Sequence, residues 1–179
     1  MKRIASIQDV SCLGRCSQTV ALPVISTMGV ECAILPTAVL STHTSFPNFT
    51  SIDLTDTLLP TARHWKAQGV HFDALYTGYL ASPRQVAVVL ELLELLREAD
   101  TLLFVDPAMA DHGRLYAGFG PEFPAQMAQV VSKAQIAVPN ITEASLMTGM
   151  PYRETYDEAY IRALLQGVAA LGAEKVVLT

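Results

Sequence analysis

Ile136-Ala137-Val138-Pro139-Asn140-Ile141-Thr142-Glu143 is a short apolar run that ends abruptly in polar residues. Three apolar residues in a row suit a buried strand, and the proline ends it because it cannot donate to a ladder. Asn140 or Thr142 can cap a following helix, and Glu143 suits its positive end. The same strand-to-polar exit recurs along the chain. Ile4-Ala5-Ser6-Ile7 runs into Gln8-Asp9, Ala33-Ile34-Leu35 leads to Ser41-Thr42-His43-Thr44, Ala74-Leu75-Tyr76 runs into Thr77-Gly78-Tyr79, and Leu102-Leu103-Phe104-Val105 runs into Asp106-Pro107. In an open parallel α/β sheet, ligands sit outside the carboxyl ends of the strands. Five such exits predict one crevice lined by side chains suited to a substrate, phosphate or metal.

Between the strands lie helix signals, and alternation of the two from end to end predicts parallel βαβ units. Ser82-Pro83-Arg84-Gln85 reads as a capping box with proline at the first helical position, ahead of Val86, Val89, Leu90, Leu93 and Leu96. Thr155-Tyr156-Asp157-Glu158 reads as a second capping box. Further helices are expected over Asp56 to Gly69, over about Ser17 to Met28 with Pro23 as a kink or a delayed start, and over residues 121–134. Residues 37–55 lack helical periodicity and are rich in Ser, Thr, His, Phe and Pro, so this stretch is expected to be a surface loop or a flap over the crevice. Lys175 to Thr179 reads as a strand on which the pattern breaks off, which gives the chain the look of the N-terminal part of a longer domain.

Length and composition fit this picture. The 179 residues suffice for one domain with a buried core, and 51% hydrophobic with 16% charged residues is globular. A net charge of −5 with scattered basic residues argues against nucleic acid as the main partner. Cys12, Cys16 and Cys32 are an odd set without metal-type spacing and read as reduced cytosolic thiols. No apolar run is long enough to span a bilayer as a helix, the longest, Val86 to Leu96, being interrupted by Glu91 and Glu94. A cytoplasmic protein without membrane contact is the expectation.

Taken singly, the candidate residues leave alternatives open. Asp106 to Gly113 puts Asp106 and Asp111 directly after a strand, where a carboxylate can hold Mg²⁺ or its waters; Asp-Pro and His-Gly are also ordinary turn formers. Asn140 and Glu143 suit a metal and phosphates, or simply the start of a helix. His43 is one of four histidines and lies in the flap-like segment; Tyr79 and Asp9 have equally plain readings as a core aromatic and a turn cap. Gly14-Arg15-Cys16-Ser17 carries one glycine and is neither a P-loop nor a dinucleotide fingerprint.

Together, Ile7-Gln8-Asp9 with Gly14-Arg15-Cys16-Ser17, Thr37 to Thr44, Tyr76-Thr77-Gly78-Tyr79-Leu80, Val105 to Met109 and Pro139 to Ala144 resemble, in order, the pyridoxal kinase family of the ribokinase-like superfamily. The resemblance implies a mostly parallel central sheet flanked by helices on both faces. It also implies ATP- and Mg²⁺-dependent phosphorylation of the 5′-hydroxymethyl group of pyridoxal, pyridoxine or pyridoxamine. By position, Asp9, His43 and Tyr79 would bind the vitamer. Asp106, Asn140, Glu143 and Thr179 would serve ATP and its phosphates, with Asp106 and Glu143 at the metal. The catalytic Asp, within a Gly-x-Gly-Asp motif, is expected beyond residue 179, so that residues 1–179 alone would be inactive. Homodimerisation is expected from the resemblance only. Asp9 stands where many relatives have Ser, and Ala110 and Cys12 stand where Gly is frequent. Two alternatives stand beside this reading: a hydroxymethylpyrimidine kinase of thiamine synthesis, and a non-catalytic vitamer-binding protein.

Overall fold

A computed structural model describes residues 1–179 and divides them into two compact units, Met1–Leu102 and Leu103–Thr179. In the first, β1 (Arg3–Ser11), β2 (Glu31–Leu40), β3 (Ser51–Asp53) and β4 (Ala74–Thr77) stand in the order β3-β2-β1-β4. The β1 strand runs parallel to both β2 and β4, and only β3 is antiparallel. Helices α1 (Gln18–Thr27), α2 (Thr55–Ala67) and α3 (Pro83–Leu96) connect or follow these strands. This is the predicted alternation; β1 and β4 are largely buried, whereas β3 at the edge is exposed. Ala5, Ile7, Leu35, Leu75 and Leu80 are fully buried, joined by Leu58 and Ala62 of α2 and Val89 and Leu92 of α3.

The second unit repeats the scheme. β5 (Leu102–Val105), which straddles the unit boundary, pairs in parallel with β8 (Ile136–Ala137), and β8 pairs in parallel with β9 (Lys175–Val176). A two-stranded hairpin of β6 (Ala110–Asp111) and β7 (Arg114–Leu115) follows β5. Helices α4 (Phe123–Val131), α5 (Ile141–Thr148) and α6 (Glu158–Ala170) complete the unit. Leu103, Val105, Met127, Ala137, Ala144 and Leu164 form its interior. No helix is long and apolar enough to cross a membrane.

Several local expectations are refined. Ser82 caps α3 by accepting the Gln85 amide, but Gln85 does not return the bond, so this is half a capping box. The cap of α6 is Asp157, which accepts the Tyr160 amide, and not Thr155. Pro23 lies inside α1, and α4 begins at Phe123, later than Pro121 suggests. The start of the stretch expected to be a flap, Thr37–Leu40, belongs to β2, where Ala38, Val39 and Leu40 pair with β3; only residues 41–50 form the irregular tip. Strand pairing over so short a return is invisible to periodicity, because it depends on the partner strand.

Candidate functional site

In the first unit the three predicted vitamer residues belong to three different strand connections: Tyr79 and His43 follow β4 and β2, whereas Asp9 lies inside β1, which runs on to Ser11 past the exit expected at Gln8-Asp9 because Val10 and Ser11 still pair with β2. Asp9 sits where the β1–β2 register shifts between Gln8 and Val10: Gln8 faces Pro36 and Val10 faces Val39, so β2 carries the extra residue, with Thr37 and Ala38 opposite Asp9. Its carboxylate is buried and accepts the Ser11 hydroxyl at 2.9 Å. Tyr79 follows β4 and is partly buried; burial, and secondarily the Asp9 charge, hold its phenol above its ordinary pKa. The structure thus brings Asp9 and Tyr79 together, and near neutral pH Tyr79 keeps its proton.

His43 lies at the tip between β2 and β3. Its amide donates to the Leu13 carbonyl at 3.3 Å, and its ring meets Phe46 edge-on at 4.8 Å between centroids. The ring also lies against Gly14, where a Cβ would come within 2.6 Å of His43 Cδ2. Gly14 has φ of +124°, so both backbone and space call for glycine. The first loop and the flap tip therefore meet through Gly14 and His43.

The second unit holds the acidic half. Glu143 and Asn140 form a reciprocal capping box at the start of α5, and Asn140 also donates from Nδ2 to the Ala110 carbonyl at 2.8 Å. Glu143 Oε1 accepts the Met109 amide at 3.1 Å, and Thr142 Oγ1 accepts the Gly113 amide at 3.0 Å. The first turn of α5 thus holds the Asp106–Leu115 segment at three points. The hairpin turn needs positive φ at His112 and Gly113, which explains why His-Gly occurs there.

Glu143 is buried, and burial first, then the nearby Asp106 charge, raises its pKa to about 8 against backbone hydrogen bonds from Asn140, Met109 and Ala110 that lower it. Burial raises Asp106 to about 6. Tyr116 in the same unit is pushed to about 12, by burial and then by Glu143, Asp111 and Asp106. Burial thus disfavours the charged form of both carboxylates, Asp106 and Glu143. No cluster of three or more His, Cys, Asp or Glu side chains forms. The pair alone fits Mg²⁺, which commonly uses one or two carboxylates with waters and substrate phosphates. Asp106 is the more exposed of the two, whereas both Glu143 oxygens already accept backbone amides.

Thr179 donates its amide to the Pro139 carbonyl at 3.1 Å, beside Asn140. With Asp111, Asn140, Thr142 and Tyr152 it lines an open cleft of about 230 Å³. Thr142, Tyr116 and Tyr152 join the predicted residues in this unit. Thr142 was visible as a possible cap; nothing local marks the two tyrosines.

The family model described as phosphomethylpyrimidine kinase matches residues 22–179. A Bacteroides thetaiotaomicron protein, provisionally assigned as a phosphomethylpyrimidine kinase and crystallised with pyridoxal, is 39% identical and superposes with a TM-score of 0.95 over 99% of this chain and 62% of its own. Pyridoxal kinase from Lactobacillus plantarum is 35% identical, with a TM-score of 0.89 over 100% of this chain and 64% of its own. Among curated relatives, pyridoxal kinase of Sus scrofa is 29% identical over 99% of this chain and 56% of its length. The chain thus spans less than two thirds of the length of each. These likenesses bear out the ribokinase-like expectation for the fold.

Proposed function

Because the chain belongs to the phosphomethylpyrimidine kinase family, we propose that it serves ATP-dependent phosphorylation of the 5′-hydroxymethyl group of a vitamin B6 vitamer. The observation that carries this reading is the 39% identical protein crystallised with pyridoxal, whose likeness extends over 99% of the chain. Residues 1–179 are read as part of one kinase domain, since single relatives span them entirely.

In this reading Asp9, His43 and Tyr79 bind the vitamer. Tyr79 offers a protonated phenol, and His43 brings a ring that the Gly14 contact holds in place. Asp106, Asn140, Glu143 and Thr179 serve the nucleotide. Asp106 is the carboxylate that would hold Mg²⁺, with Glu143 beside it ordering the hairpin through the Met109 amide. The metal would supply charge neutralisation for the phosphates. Phosphoryl transfer asks the protein mainly for positioning and electrostatics, which a capped helix start and a clamped hairpin provide. The general base is assigned to none of these residues.

Homodimerisation belongs to the same proposal. Val20, Leu22, Val24 and Met28, within and just after α1, are exposed, which suits a surface covered by a second copy. Three free cysteines fit a reducing cytoplasm. The second reading, a kinase for a hydroxymethylpyrimidine, is favoured by the description of the matching family and shares the ring-bearing hydroxymethyl acceptor.

The test is ATP-dependent formation of pyridoxal 5′-phosphate by the protein expressed from its whole gene. Turnover with pyridoxal above that with hydroxymethylpyrimidine supports the proposal; the reverse order favours the second reading.

A further inference from the structure

Gln85 is fully buried in α3 and uses its amide at three points. Its Oε1 accepts the Ala81 amide at 2.7 Å, and its Nε2 donates to the Thr37 carbonyl at 2.9 Å and to Thr55 Oγ1 at 2.9 Å. Thr37, itself fully buried in β2, donates its hydroxyl to the Tyr79 carbonyl at 3.1 Å. On the other side of Tyr79, the Gly78 amide donates to the Ile7 carbonyl at 3.1 Å. A Cβ at Gly78 would come within 2.6 Å of Gln8 Oε1, so this backbone also lies close against β1.

The segment Gly78–Ala81 is thus tied to β1 through Gly78, to β2 through Tyr79 and to α3 through Ala81. A core hydrophobe at residue 85 would fill the space with no such bonds. Burying a primary amide and a hydroxyl costs free energy unless they are paired, and here the pairing goes to the loop bearing Tyr79.

We propose that Thr37 and Gln85 are positioning residues for Tyr79: Thr37 holds the Tyr79 carbonyl directly, and Gln85 holds Thr37 and Ala81. The inference rests on the reading of Tyr79 as a vitamer-binding residue, but the loop restraint has its own readout. Thr37→Val keeps the shape and removes the hydroxyl. Thr37→Ser keeps the hydroxyl and is the rescue variant. Gln85→Met removes both ends of the amide with similar volume.

The first measurement is hydrogen exchange across the protein without ligand. In Thr37→Val and Gln85→Met, the amides of Gly78 and Ala81 exchange faster than in the parent, while Thr37→Ser stays close to it and the amides of Leu92 and Leu93 in α3 are unchanged. Parent-like exchange at residues 78–81 in both variants would overturn the restraint. The second measurement is calorimetric titration with pyridoxal and, separately, with ATP. Loss of one net hydrogen bond predicts a pyridoxal affinity weakened roughly three- to tenfold in Thr37→Val, with ATP affinity unchanged. Combined with Tyr79→Ala, the Thr37→Val effect disappears, because its target has gone. Additive effects would overturn the positioning role. If Tyr79→Ala alone leaves pyridoxal affinity unchanged, the reading of Tyr79 fails, and the exchange data still decide the restraint.

Discussion

Asn140 and Glu143 cap each other's backbone: the Glu143 amide donates to Asn140 Oδ1 at 2.9 Å, and the Asn140 amide donates to Glu143 Oε2 at 2.8 Å. Each side chain has a second task on the preceding segment, Asn140 at the Ala110 carbonyl and Glu143 at the Met109 amide. Asn140→Ala removes a helix cap and a tie to the hairpin together. A cap is worth about 0.5–2 kcal/mol. The expected loss is near or above the upper end of that range, read by chemical denaturation. A loss below about 0.5 kcal/mol would show that the reciprocal cap does not hold α5 in solution.

Glu143 and Asp106 give stability a defined pH dependence. Their folded pKa values, about 8 and about 6, lie above the ordinary carboxylate range. The folded state therefore holds protons that the unfolded state releases, and stability falls as pH rises through this window. Their stabilising contribution is complete below about pH 4 and lost by about pH 8. Melting temperature of the metal-free protein should decline from pH 5 to pH 8, and Glu143→Gln should flatten that decline. A Glu143→Gln profile parallel to the parent would contradict the assignment.

Asp106 is predicted to carry the response to Mg²⁺. Asp106→Asn keeps the shape and removes one charge, so kcat should fall and the Mg²⁺ concentration for half-maximal activity should rise, without loss of folding. Superimposable Mg²⁺ titrations of Asp106→Asn and the parent would remove Asp106 from the metal end.

The Gly14–His43 contact predicts a flap that does not tolerate a side chain at residue 14. Gly14→Ala places a Cβ 2.6 Å from the His43 ring and forces an unfavourable φ. Pyridoxal affinity should fall at least as far as in His43→Ala, and ATP affinity should hold. Equal losses for both ligands would point to general destabilisation.

Much of the fold was legible because it rests on local signals. Val86, Val89, Leu93 and Leu96 announce α3, Ser82 its start, and the apolar runs Ala74–Tyr76 and Leu102–Val105 their strands. What stayed hidden depends on partners distant in sequence. The pairing of β2 with β3 is set by the opposite strand. Gln85 reads locally as half of a capping box, yet its amide turns to Thr37, 48 residues away. The same holds for the site: strand exits mark Tyr79, Asp106 and Asn140, whereas Asp9 proves to lie inside β1, and the raised pKa of Tyr116 follows from burial and then from three acids gathered by the fold.

The most direct test of the central claim is calorimetric titration of the protein with pyridoxal and with 4-amino-5-hydroxymethyl-2-methylpyrimidine, in the parent and in His43→Ala and Tyr79→Ala. Saturable binding of pyridoxal, tighter than the pyrimidine and weakened about tenfold or more in both variants, is the predicted result. Tighter binding of the pyrimidine, or pyridoxal binding indifferent to both substitutions, would contradict it.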